Sequence, residues 1–131
     1  MALPSNVRQW LRYALDDLKI ARTIGDMGSS YWRGSAYHSQ QAVEKAIKGC
    51  LTFHKVRFAK THDILILVNT LKTVDPALAQ KLTRAKRLTK FAIEYRYPDA
   101  AEHPMTKAKA HSALRLAQEC YEAISDRLRD F

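Results

Sequence analysis

Residues 31–54 read YWRGSAYHSQQAVEKAIKGCLTFH, a long run with no proline. Its apolar members Ala36, Val43, Ile47, Cys50 and Leu51 return at steps of three, four and seven. That is the period of one helix face, whereas a half-buried strand would alternate every second residue. The segment therefore predicts a helix from about Tyr31 to His54, and the rest of the fold is read around it.

Upstream, Val7, Leu11, Ala14, Leu18 and Ala21 form a second helical stripe, widened by Trp10 and Leu15. Ser5 suits the N-cap, and Gly25 with Gly28-Ser29-Ser30 ends the helix near Met27. Downstream, Lys55 to Lys60 has no period and reads as a basic loop. Thr61 is placed to cap a third helix, His62 to about Val74, whose Ile64, Leu65, Leu67, Val68 and Leu71 suit a central position. Asp75-Pro76 is an N-cap followed by proline at the first helical position. From there a fourth helix is expected to run to about Tyr95 through Leu78, Leu82, Ala85, Leu88 and Ala92. Pro98 and Pro104 bracket a segment that cannot be continuous helix. Thr106 restarts a fifth, with Ala110, Ala113, Leu114, Ala117, Tyr121, Ile124 and Leu128 inward. There is no strand pattern, repeat, linker or low-complexity tract. The expectation is all-α: an up-and-down antiparallel bundle of about five helices forming one domain over residues 1–131.

The bulk composition agrees with a globular chain. Of 131 residues, 47% are apolar and 27% charged, too apolar for a disordered tail. No stretch approaches the roughly 18 apolar residues of a membrane span. The first residues, MALPSNVRQWLRYALDD, carry charge where a signal peptide carries its apolar run. These features place the protein in the cytoplasm, with no membrane partner. Cys50 and Cys120 fall at apolar helix positions, which favours buried thiols over a disulfide.

The formal net charge is +9 and unevenly spread. Met27 to Ile93 holds twelve Lys and Arg against only Glu44, Asp63 and Asp75, while the remainder is balanced. A basic region on an otherwise neutral chain suits a polyanion or an acidic protein, and equally a solvated surface.

Three places depart from plain amphipathicity. Tyr37, Gln41, Glu44 and Lys48 fall within an arc of about 60° bordering the apolar stripe, with Glu44 and Lys48 a favourable i, i+4 pair. Thr61-His62-Asp63 heads the third helix, where Asp63 favours the positive end of the helix dipole and His62 is free to bond across the bundle. Tyr95-Arg96-Tyr97-Pro98-Asp99, followed by His103-Pro104, sets an arginine between two tyrosines at a helix end. Tyrosine faces stack on guanidinium or on a base, and arginine grips phosphate bidentately. An Arg96–Asp99 pair closing the break is the structural alternative. No Cys or His pair has zinc spacing, and HExxH, a glycine-rich phosphate loop and GxSxG are all missing. No cofactor is expected. A helix-turn-helix is disfavoured by long or proline-broken connections.

These three segments, in this order, resemble the HEPN-domain family. Tyr37-His38-Ser39-Gln40-Gln41-Ala42-Val43-Glu44-Lys45-Ala46-Ile47-Lys48 is similar to its helix 2 signature. Thr61-His62-Asp63-Ile64-Leu65 with Leu71, and Arg96-Tyr97-Pro98-Asp99, resemble its next two conserved stretches, and Asp17-Leu18 also fits. The resemblance spans nearly the whole chain and implies an all-α bundle, often dimeric.

Functionally it points two ways. Many such domains accompany a minimal nucleotidyltransferase in a toxin–antitoxin type pair. This implies a nucleotide- or RNA-binding homodimer with a site at Tyr37, Gln41, Glu44, Lys48, His62, Arg96, Tyr97 and Asp99. Other members are metal-independent ribonucleases with an Arg, four to six residues, then a His. There the Arg holds the scissile phosphate while the His acts as general acid or base and the 2′-hydroxyl attacks. Arg96 and His103 satisfy that spacing as the catalytic pair, although Tyr97 stands where a polar residue usually follows, and Pro98 and Pro104 interrupt the helix. A non-catalytic protein-interaction bundle is a third possibility.

Overall fold

The computed structural model describes residues 2–97 and 103–131. Among them are six α-helices and no strand: α1 Ser5–Gly25, α2 Trp32–Phe53, α3 Ile64–Lys72, α4 Pro76–Lys81, α5 Thr89–Arg96 and α6 Lys107–Arg129. Short 3₁₀ helices cover Ser29–Tyr31 and Thr83–Leu88. The all-α bundle expected from periodicity is the fold observed.

The central element is α2, packed against α1 and α6 on one side and against α3, the 83–88 turn and α5 on the other. It buries Ala36, Ala42, Val43, Ala46, Ile47, Cys50 and Leu51 completely. Small residues let α1 approach closely: a Cβ on Gly49 would stand 3.0 Å from the Trp10 Cβ. Ser35 Oγ then donates to the Ala21 carbonyl at 2.8 Å, pinning the two helices. The Lys45 ammonium and the His38 ring both reach the buried Asp17 carboxylate on α1, at 2.7 and 2.8 Å.

The helix ends explain the departures from expectation. Pro4 rather than Ser5 precedes α1, and the Asn6 side chain accepts the Val7 N–H, covering an orphan donor of the first turn. α3 starts two residues later than expected, because Asp63 is its cap and accepts the Leu65 N–H at 3.0 Å. α3 is also not central: Leu65 and Ile66 are exposed while Ile64, Leu67, Val68 and Leu71 are buried. On α1, Leu15 likewise faces outward. Asp75 and Thr106 cap α4 and α6 as their sequences indicate. Buried Asp75 also accepts from Arg127 Nε at 2.8 Å, tying the start of α4 to the end of α6.

The fourth helix is not continuous. Thr83 Oγ1 bonds back to the Ala79 carbonyl, a contact that bends helices, and the Leu82 N–H is shared between the Leu78 and Ala79 carbonyls. The chain then tightens into the 3₁₀ turn. Leu82, Ala85 and Leu88, spaced by three, eclipse one another there, and all three are buried. The break re-aims α5 toward the first half of α2. At the end of α2, Lys55 adopts φ +57°. The Lys55 N–H reaches the Thr52 carbonyl and the Val56 N–H the Leu51 carbonyl, which is a Schellman motif with lysine at the position that favours glycine.

Candidate functional site

One face of α2 carries two polar groupings about two turns apart, and α5 runs antiparallel beside them. Where α5 begins, Thr89 Oγ1 accepts the Ile64 N–H at 3.1 Å, next to His62. Where α5 ends, Tyr95 and Arg96 meet Tyr37. Tyr37 and Glu44 are seven residues apart, so the two groupings are about 10 Å apart along α2.

The first grouping centres on Glu44, which is 3% exposed. Its carboxylate faces Lys48 Nζ at 2.7 Å, Gln40 Nε2 at 3.0 Å, Gln41 Nε2 at 3.2 Å and His62 Nδ1 at 3.0 Å. Gln40 also donates to the His62 carbonyl, fastening α2 to the approach to α3. Burial pushes the Glu44 carboxyl up, but the hydrogen bonds from Lys48, His62 and Gln40 together outweigh it and hold it below the usual carboxylate range. Lys48 in turn lies 5.8 Å from the Trp10 ring centre. Both Glu44 oxygens are occupied by neighbours and Gln41 is turned inward, so these two side chains brace the site from behind. His62 is the more open member, with 57% of its side chain exposed.

The second grouping is a four-member stack. The Tyr37 and Tyr95 rings lie 4.4 Å apart and 17° from parallel. Arg96 sits against Tyr37, its guanidinium carbon 5.4 Å from the ring centre and its Nη2 donating to the phenol oxygen at 3.2 Å. Arg33 sits 6.0 Å from the Tyr95 ring centre, and donates to the carbonyls of Glu94 and Tyr95 at the C-terminal end of α5. Neither guanidinium has a carboxylate partner within 4 Å among the described residues. Tyr97, 63% exposed, follows at the helix end. Arg96 Nη1 also donates to the Ala92 carbonyl at 3.3 Å. Two guanidinium groups with no carboxylate partner among the described residues, next to the exposed Tyr97, suit a ligand with a phosphate and a planar base.

Of the residues singled out from sequence, Tyr37 and Arg96 come into direct contact, with Tyr97 beside them. Gln41, Glu44, Lys48 and His62 form the separate grouping at the other end of α5. Asp99 and Pro98 lie outside the described residues. His103 is exposed, in a groove with Lys90, Phe91, Ile93, Glu94, Pro104, Met105 and Lys109. On α5, at about 100° per residue, the groove residues Lys90, Phe91 and Glu94 lie about 120–160° from Arg96, while Ile93 in the same groove lies about 60° from it. The Arg96 guanidinium turns to Tyr37 on α2, and no hydrogen bond joins it to His103 among the described residues. From sequence, Arg33 enters only as part of the basic segment, although its place one turn before Tyr37 is a usable signal. Among the described residues no group of three or more His, Cys, Asp and Glu is arranged to hold a metal ion, and no helix is long and apolar enough to cross a membrane.

Known proteins share this architecture. The chain is 25% identical to the protein named "Putative toxin MJ1304" of Methanocaldococcus jannaschii, with 92% of this chain and 87% of that protein covered. The crystal structure of TT1696 from Thermus thermophilus superposes with a TM-score of 0.73 at 28% identity, covering 94% of this chain and 98% of that one. ST0689, an archaeal HEPN homologue, gives 0.70 at 26% identity over 92% and 96%. The HEPN domain family model matches residues 7–128, and the chain belongs to that family.

Proposed function

We propose that this HEPN domain is the toxin-type component of a two-protein pair and binds nucleotide or RNA on the Arg33–Tyr95–Tyr37–Arg96 stack. A homodimer working with a minimal nucleotidyltransferase completes the reading. The observation that carries it is the stack itself: two tyrosine faces flanked by two guanidinium groups, with no carboxylate partner for either among the described residues. A phosphate held by Arg96 would bring its base against the exposed Tyr97 that follows it. The similarity to a protein named as a toxin supports the toxin-type role.

Binding is favoured over cleavage because Arg96 turns toward α2 to bond Tyr37, while His103 lines a groove to which neither of them contributes. A ribonuclease centre built from this pair would need both side chains on one phosphate.

Calorimetric titration with nucleoside mono- and triphosphates tests the reading. Saturable binding that Arg96→Ala and Arg33→Ala each weaken by about tenfold is the expected result, equal to about 1.4 kcal/mol. Affinity unchanged in both variants would remove the stack as the site.

A further inference from the structure

The 83–88 turn and the start of α5 form one wall of a cleft of about 320 Å³, closed on the other side by α6. The 83–91 segment contributes Arg84, Arg87 and Lys90, and α6 contributes Lys109 and Arg115, against the single carboxylate of Glu119. None of the five cations makes an ion pair within 4 Å among the described residues. Five like charges around one narrow space repel one another and draw counterions, a cost that an anionic ligand relieves.

The spacing of the charges narrows the choice of ligand. Arg84 and Arg87 are one 3₁₀ turn apart, about 6 Å, a step comparable to that between neighbouring phosphates on an extended strand. On the facing wall Lys109, Ser112 and Arg115 repeat every three residues, so donors line both sides of one track. Three of the five cations are arginines, whose planar fork matches phosphate oxygens. The floor is Leu88 and Phe91, both buried, which leaves no exposed ring for a base and favours contacts to a backbone. Lys90, Phe91 and Lys109 also line the neighbouring His103 groove of about 310 Å³, which adds the carboxylate of Glu94.

We infer that the cleft between the 83–91 segment and α6 is a second binding site, separate from the tyrosine stack, that holds the phosphodiester backbone of a single strand without reading its sequence. The inference extends the nucleotide-binding reading but does not require it, since no residue is shared between the two sites.

The test is anisotropy of a 5′-labelled dodecauridylate against the full chain across a salt series, with circular dichroism confirming that each variant folds. The wild type is expected to bind with affinity that falls as salt rises. Arg87→Glu/Arg115→Glu should weaken binding by about tenfold or more, and the neutral Arg87→Gln/Arg115→Gln should lower the log–log salt slope by about one for each arginine replaced. Lys19→Gln, an exposed cation on α1 outside both sites, should keep the wild-type slope; loss of mononucleotide binding in Arg96→Ala bears on the tyrosine stack and not on the cleft. No binding by the wild type, or unchanged affinity and slope in both double variants, overturns the inference. So does polyaspartate of equal charge displacing the strand as well as unlabelled dodecauridylate does, because the cleft would then be a surface for acidic protein.

Discussion

Nη2 of Arg96 donates to the phenol oxygen of Tyr37 at 3.2 Å, joining residues 59 apart in sequence. The same ring stacks on Tyr95, so Tyr37 holds the end of α5 by both its face and its hydroxyl. Separating the two roles is direct. Tyr37→Phe keeps the stack and loses one partly exposed hydrogen bond, an expected loss of about 0.5–1 kcal/mol in urea unfolding. Tyr37→Ala also removes the aromatic pair and should cost about 2 kcal/mol or more. Equal losses in the two variants would mean that the stack contributes nothing.

Glu44 and Lys48 are a buried pair, with side chains 4% and 12% exposed. Lys48→Met leaves the carboxylate without its cation and is expected to destabilise by about 3 kcal/mol. Adding Glu44→Gln to that variant should restore part of the loss, because the remaining group is neutral and still bonded to Gln40. A double variant no more stable than Lys48→Met would contradict this.

The same carboxylate gives a pH dependence of definite sign. Its folded-state pKa lies below the ordinary value of 4.5, so the folded state holds this proton less tightly than the unfolded chain does. The stability it contributes is complete above the unfolded value and is lost as pH falls through the folded one. Asp75 acts in the same direction: burial raises its pKa, and the Arg127 and Leu78 hydrogen bonds more than offset that. Unfolding free energy should therefore be level near neutrality and drop below about pH 4.5, and Glu44→Gln should shrink that acid drop. An equally steep drop in the variant would show that Glu44 is not a source of it.

Cys50 and Cys120 are both buried and free, and burial pushes each thiol up to about 12. Almost no thiolate exists at neutral pH, so a disulfide reagent should label them only as fast as the protein opens. Rapid stoichiometric labelling of native protein would contradict this placement.

Lys55 carries a left-handed backbone at the end of α2. Glycine adopts that conformation without the Cβ clash, so Lys55→Gly should stabilise by about 1 kcal/mol, raising Tm by about 3 °C. A lower Tm would mean that the lysine side chain makes a contact worth more than the strain.

The helices with long apolar stripes are readable because one period explains all their residues: α1, α2 and α6 fall where Val7 to Ala21, Ala36 to Leu51 and Ala110 to Leu128 place them. The break after α4 is not readable. Leu82, Ala85, Leu88 and Ala92 satisfy a period of 3.6 nearly as well as the period of 3 that the chain adopts, and the deciding event is a side-chain bond from Thr83. The site is legible to the same degree. Tyr37, Gln41, Glu44 and Lys48 share one side of α2, as helical spacing requires. Which of them is sealed inward depends on His62 and α5, contacts that lie outside any local pattern. The six-residue gap between Arg96 and His103 carries no information on facing, because a proline break lies within it.

A native gel of a short labelled RNA with the protein in EDTA, run beside Arg96→Ala and followed by a denaturing gel of the same samples, tests the central claim most directly. The account predicts a shifted, intact RNA with the wild type and a weaker shift with the variant, in which only the cleft between the 83–91 segment and α6 still holds the strand. An identical shift in both would contradict the assignment of the Tyr37–Arg96 corner as the binding site. RNA cut by the wild type and spared by Arg96→Ala would contradict the binding-only reading and make Arg96 a catalytic residue.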